Sequence, residues 1–232
     1  TQDPCQVGGA VGVEHLRGSD ASLRRHPHVQ RCIRRIGEPS LAAVDGRLRD
    51  YSPAALADED KWLAMTAREL GAVNVGALSD AVSIDSQVAI AQTRFVLRQH
   101  QMRRYQQRAV DTYVGEPFRA IDWQLQGLTP TGETTQGAPA EWALVIARVR
   151  AIPAFLTTAQ GQLEAGVTSG NVADRRMLER DGLATSQANA AYFGETLPAL
   201  AADRIAAGPE RTKLLTDLRA AGKDAASAYV AF

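Results

Sequence analysis

Lysine is almost missing from this chain, at 3 of 232 residues against 23 arginines. Acids balance the bases 26 to 26, and the sequence pI is about 6.9. No global field therefore draws the protein to nucleic acid or to anionic lipid. Only two cysteines are present, too few for a disulfide-dense scaffold. Arg, Asp, Glu or Gln interrupts every apolar run before the ~18 residues of a membrane span. The opening TQDPCQVGGAVGVEHLRGSD has no basic start followed by an apolar stretch, so it carries no visible signal peptide, and a soluble, cytoplasmic protein is expected. HExxH, GxGxxG, P-loop and GxSxG motifs are all lacking. What is abundant is alanine, with 40 residues, in a chain 45% hydrophobic and 22% charged. That is the composition of a globular core built from strong helix formers, and the length suits one domain or a large piece of one.

Residues 1–38 differ from the rest: they hold both cysteines and three of the four histidines, with no sustained period. We read them as a poorly structured arm, with one short helix around Val29–Ile36. Residues 39–232 form a helical domain. Ser52 caps a helix over 53–71 with Pro53 at its first position, and Leu56, Leu63, Ala67 and Leu70 form its apolar face. Ile84, Val88, Ala91, Phe95, Met102 and Tyr105 make one apolar stripe, predicting a long helix over 80–108 that buries it. Gly115 and Pro117 then break the pattern before a short helix carrying Phe118, Ile121 and Leu125. GLTPTGETTQGAP is a loop of the kind that closes a hairpin or lies over a groove. Trp142, Val145, Val149, Ile152 and Leu156 predict a helix over 140–165, kinked or broken at Pro153. A further helix over 171–206 starts at Asn171, has a small-residue centre that lets a neighbour approach closely, and is kinked at Pro198. The last, over 209–232, carries Leu214, Leu215, Leu218, Ala221, Ala225 and Tyr229 and reaches Phe232 without a cap, which reads as a chain stopping in mid-helix.

Few side chains suggest chemistry. Cys5, His15, His26, His28 and Cys32 cluster in the arm, but their spacing fits no zinc-finger pattern. His100, among glutamines and arginines, reads as a partly exposed helix histidine. Arg94, Arg98, Arg103, Arg104 and Arg108 form a basic stretch with Tyr105 available for stacking, but zero net charge favours a solvated or acid-paired face over a nucleic-acid contact. Trp62, Trp123 and Trp142 suit core packing, with Trp123 also placed to line a groove. No catalytic, cofactor-binding or metal-ligating residue is assigned.

Several segments carry a resemblance. EPSLAAVDGRLRDYSPAALADEDKWLAMTAREL resembles the opening of the bacterial domain of unknown function 885 family, with its Pro-x-x-Ala stretch, Asp–Arg–Leu stretch and Ser-Pro helix start. SDAVSIDSQVAIAQTRFVLRQHQMRRY is similar to the family's next helix. ARVRAIPAFLTTAQGQLEAGVTSGNVADRRMLERDGLATSQANAAYFGETLPAL resembles its Arg-x-x-x-Ile/Leu-Pro-x-Phe/Tyr-Leu segment and the helix after it. LRAAGKDAASAYVAF resembles the helix before the second half of those proteins. The resemblance implies longer, largely helical proteins like zinc metallopeptidases, whose HExxH-like motif and further acidic ligand lie in the C-terminal half. It therefore places zinc outside this chain.

The expected fold is all-α, a multi-helix antiparallel array with long amphipathic helices, part of a larger metallopeptidase-like fold. The expected role is a non-catalytic N-terminal portion of a hydrolase, forming one wall of a substrate cleft and inactive alone. The alternative is a self-contained protein- or peptide-interaction domain. The expected partners are the C-terminal half or a second chain covering Leu218, Tyr229 and Phe232, a homodimer among the possibilities, and a peptide substrate. Neither nucleic acid nor membrane is among them.

Overall fold

A computed structural model describes residues 46–232 except Val75 and Ala77. The arm over 1–38, its short helix and its Cys/His cluster lie outside the described residues. The described chain is all-α and divides into two compact units, residues 52–105 and residues 46–51 with 106–232.

The first unit is a helical hairpin. Ser52 caps α1 (Pro53–Gly71), its hydroxyl accepting the Ala55 N–H at 3.2 Å, with Pro53 in the first turn as expected. Leu56 and Leu63 are buried, and α2 (Asp80–Gln101) packs back against α1. α2 differs from expectation twice. It stops at Gln101 rather than near 108: the Arg103 N–H reaches back to the Arg98 carbonyl, and Arg104 adopts a left-handed φ of 45° before a 3₁₀ turn at Tyr105–Gln107. No Gly or Pro announces this stop, so periodicity ran on through it. The second difference is rotational. Ile84, Val88, Phe95 and Met102 are 60%, 61%, 52% and 72% exposed, whereas Val82, Ser86, Thr93 and His100 are buried. The stripe read as core lies on the outside; the buried positions are Val82, Ser86, Thr93 and His100, with Ala89, Ile90, Val96 and Leu97 half-buried around them. Thr93 satisfies its hydroxyl on the Ala89 carbonyl at 2.7 Å.

The second unit holds most of the apolar core. α3 (Val110–Gln126) runs straight through Gly115 and Pro117, correcting the expected break. Tyr113, Val114, Ile121 and Leu125 bury one continuous face on either side of the proline, and that packing outweighs the lost backbone bond. The Val114 carbonyl, near the proline, takes two buried side-chain donors: Asn189 Nδ2 at 2.6 Å and the Tyr229 hydroxyl at 3.1 Å. The loop after α3 closes as a small hairpin with one antiparallel bridge, Pro130 to Gln136. Gly137 ends it at φ +85°, where a Cβ would run into the Trp142 indole.

α4 (Pro139–Arg150) and α5 (Ile152–Ser169) are separated at Ala151, with Pro153 in the first turn of α5. Counted as one run, Pro139–Ser169 is long and apolar enough to cross a membrane, with a mean hydropathy of 1.3 in its most apolar window, contrary to the expectation that no such run exists. Its apolar side chains, Trp142, Val145, Val149, Ile152 and Leu156, are instead the centre of this unit. Gly170, at φ +70°, closes α5.

The next helical run starts at Asp174, not Asn171, because the Asp174 carboxylate accepts the Met177 N–H at 3.1 Å. It consists of α6 (Arg175–Met177), a π-helical stretch (Leu178–Ala184), α7 (Thr185–Ala191), a second π-helical stretch (Tyr192–Thr196) and α8 (Leu197–Arg204). The second π stretch directly precedes Pro198, where the ordinary bonding ladder must in any case be interrupted. α9 (Arg211–Ala231) lies against this run and against α4 and α5. Gly222 lets it come close at the Phe193 carbonyl, where any Cβ would collide. Leu218 and Tyr229 are covered within the chain, at 0% and 1% exposure, so the expectation that they lack cover is not met.

Candidate functional site

Tyr51 lies just before the α1 cap and belongs to the second unit. Its ring meets Tyr113 and Phe155 edge-on, at centroid distances of 5.0 and 5.8 Å. Its carbonyl accepts Gln162 Nε2 at 2.7 Å, and the Arg49 guanidinium sits 4.6 Å over its ring. The Tyr51 hydroxyl donates to Glu116 Oε2 at 2.5 Å. Glu116 is half-buried beside Pro117 on α3. Burial holds its carboxyl above the usual range, against the opposing pull of the Tyr51 hydroxyl, Arg49 and Arg119. The residue reading missed this cluster; its one visible signal was an acid between Gly115 and Pro117 in an apolar helix.

A second pair sits inside the hairpin. His100, read as partly exposed, is 4% exposed. Its Nδ1 lies 2.7 Å from Asp60 Oδ1, the other Asp60 oxygen accepts Gln101 Nε2 at 3.2 Å, and the imidazole stacks on Tyr105 at 5.7 Å. The two partners are far apart in sequence, so no local pattern connects them. Tyr105 thus stacks on an imidazole within its own unit.

The remaining candidates disperse. Trp142 is core as expected, with its indole N–H on the Gln136 carbonyl at 2.8 Å, and Trp62 is half-buried. Trp123 departs from core packing at 73% exposure. Arg94 and Arg98 are exposed on α2, and Arg108 is exposed beyond it. Elsewhere, carboxylates serve local structure. Glu141 lies below its usual range because, although burial opposes it, the Ala138 N–H and the Thr129 hydroxyl and N–H favour its charge. Asp217 pairs with Lys213 and Arg150, and Asp181 with Arg180. Among the described residues, no three His, Cys, Asp or Glu side chains are grouped to hold a metal ion.

Fold and polar groups together define the class: an alanine-rich, all-α scaffold whose buried and half-buried titratable groups, among them Asp60, His100 and Glu116, are engaged in separate local contacts. Residues 34–232 match the family described as "Bacterial protein of unknown function (DUF885)", and the chain belongs to that family. No curated protein and no solved structure matches it.

Proposed function

We propose that this chain is a non-catalytic helical portion of a metallopeptidase-like hydrolase, forming one wall of a peptide-binding cleft, with zinc and the reacting groups supplied from outside these residues. The carrying observation is that the best-placed titratable groups are already committed. Asp60 serves His100, Glu116 serves Tyr51, and Glu141 serves the start of α4. A catalytic zinc takes three protein ligands and keeps one position open for water, and such ligands converge on one point. These groups instead stabilise separate contacts between elements. The outward apolar stripe of α2 favours a second reading, a self-contained interaction domain without enzymatic activity.

The test is metal analysis after dialysis alongside digestion of a peptide library. The 232-residue chain alone should retain no stoichiometric zinc and cleave nothing, whereas a longer parent carrying a catalytic half should retain zinc. One tightly held zinc per chain, lost on changing His26, His28 or Cys32, would sink the proposal.

A further inference from the structure

α2 carries an outward apolar stripe in addition to the face that it buries, which holds Val82 together with Ser86, Thr93 and His100. Ile84, Val88 and Phe95 are 60%, 61% and 52% exposed, with Ala91 exposed between them, while Ser86, Thr93 and His100 face inward. At 1.5 Å per residue the stripe runs about 17 Å. α2 is thus apolar on a second side besides the one packed on α1, and an apolar side of this length left in water is the mark of an interaction surface. Charge along α2 is also polarised, with Asp80 and Asp85 toward its start and Arg94 and Arg98 toward its end. None of these four takes part in an ion pair among the described residues.

We propose that this stripe is an isologous interface with a second copy of the chain, the two α2 helices lying antiparallel about a two-fold axis between Ala89 and Ile90. The stripe is self-complementary in that arrangement. Ile84 comes level with Phe95 of the partner subunit, and Val88 with Ala91 of the partner subunit, so that a large side chain meets a small one at the centre. At about 100° per residue, Asp80, Arg94 and Arg98 fall on the same flank of the stripe. An antiparallel two-fold keeps like flanks together, so Asp80 meets Arg98 of the partner subunit on that flank, and the symmetry repeats the contact. A parallel pairing would leave Asp80 and Arg98 of the partner subunit about 27 Å apart along the helices, so the contact would be lost. An anionic lipid surface suits a helix basic along its whole polar edge, and Asp80 and Asp85 argue against that occupant. One helix face is smaller than the roughly 20–30 residues a side of a standard stable interface, so the dimer is expected to dissociate at about micromolar concentration.

This inference goes beyond the hydrolase reading and is independent of it, because its test reads mass rather than zinc or cleavage. Sedimentation of the full chain over about 1–100 μM should show the average mass rising from monomer toward dimer. Asp80→Arg and Arg98→Asp should each weaken association about 10-fold or more, and the double exchange should restore it. Each change also costs the helix terminus a little, and the double variant carries both costs, so restoration cannot come from helix stability. Circular dichroism confirms folding of each variant. A monomer throughout this range, or a dimer indifferent to both exchanges, overturns the proposal. So does co-sedimentation of the monomer with phosphatidylglycerol vesicles that Val88→Glu abolishes, since the stripe would then serve a membrane. A longer parent that stays monomeric and protects α2 from hydrogen exchange would give the stripe an intramolecular cover and overturn it equally.

Discussion

Glu116 gives the chain a pH dependence of opposite sign to that of Glu141. Below the usual carboxyl value of 4.5, Glu116 is protonated in both folded and unfolded chains. As pH rises past that value the unfolded chain ionises freely, while the folded chain holds its proton until the raised value is reached. Stability is therefore lost through that window and stays reduced above it. Glu116→Gln keeps an acceptor for the Tyr51 hydroxyl and removes the ionisation. It should raise the melting temperature at about pH 7.5 and change it little near pH 4. Equal effects at both pH values in thermal unfolding would mean that burial is not what governs this carboxyl. Glu141, held below the usual value by the Ala138 and Thr129 donors, contributes stability that is present above the unfolded value and lost as pH falls. Neither behaviour was legible in the sequence, because both depend on which backbone and hydroxyl groups the fold brings to the carboxylate.

At the scale of elements, caps and prolines carried the information. Ser52-Pro53 marked the start of α1, and Pro153 marked the boundary between α4 and α5. Pro117 misled, since α3 absorbs it, and its neighbouring Val114 carbonyl collects donors from two other helices. Those donors make the junction of α3, α7 and α9 specific. Asn189→Ala removes the shorter of the two bonds and buried volume with it, and should cost about 1–3 kcal/mol. Tyr229→Phe, which keeps the ring stacked on Phe193 and leaves Asn189 in place, should cost about 0.5–1.5 kcal/mol. Urea unfolding at constant slope compares them, and a larger loss for Tyr229→Phe would reverse the assigned order. The face of α2 was the element-scale failure. Period alone locates an apolar stripe but does not say what the stripe packs against, and nothing in the pattern of Asp60, Ser86, Thr93 and His100 signalled that polar groups would join Leu56, Leu63 and Val82 in the seam.

Across the molecule, the all-α class was readable because helical period, alanine content and turn residues all agree. The division into two units was not, since nothing in the composition changes at Tyr51 or Gln106. The units should differ in how they open. The hairpin buries only Leu56, Leu63 and Val82 among large apolar side chains of the described residues, beside Ser86, Thr93 and His100, whereas the second unit interlocks Trp142, Val145, Ile152, Phe193, Leu218 and Tyr229. Amide exchange of α1 and α2 should therefore proceed at least about 10-fold faster than that of α4 and α9 under native conditions. Matching rates would indicate one cooperative unit.

Within the second unit, the residues that flank the hairpin in sequence are both tied to α5. The Tyr51 carbonyl binds Gln162, and Gln107 accepts the Ser169 hydroxyl at 3.1 Å. These anchors are two turns apart, about 10 Å along the helix, a gap that roughly three extended residues can span. The hairpin is thus an insertion, in sequence, between two anchors that the second unit already holds close together. A linker of that length in its place would leave the helices of the second unit threaded as they are.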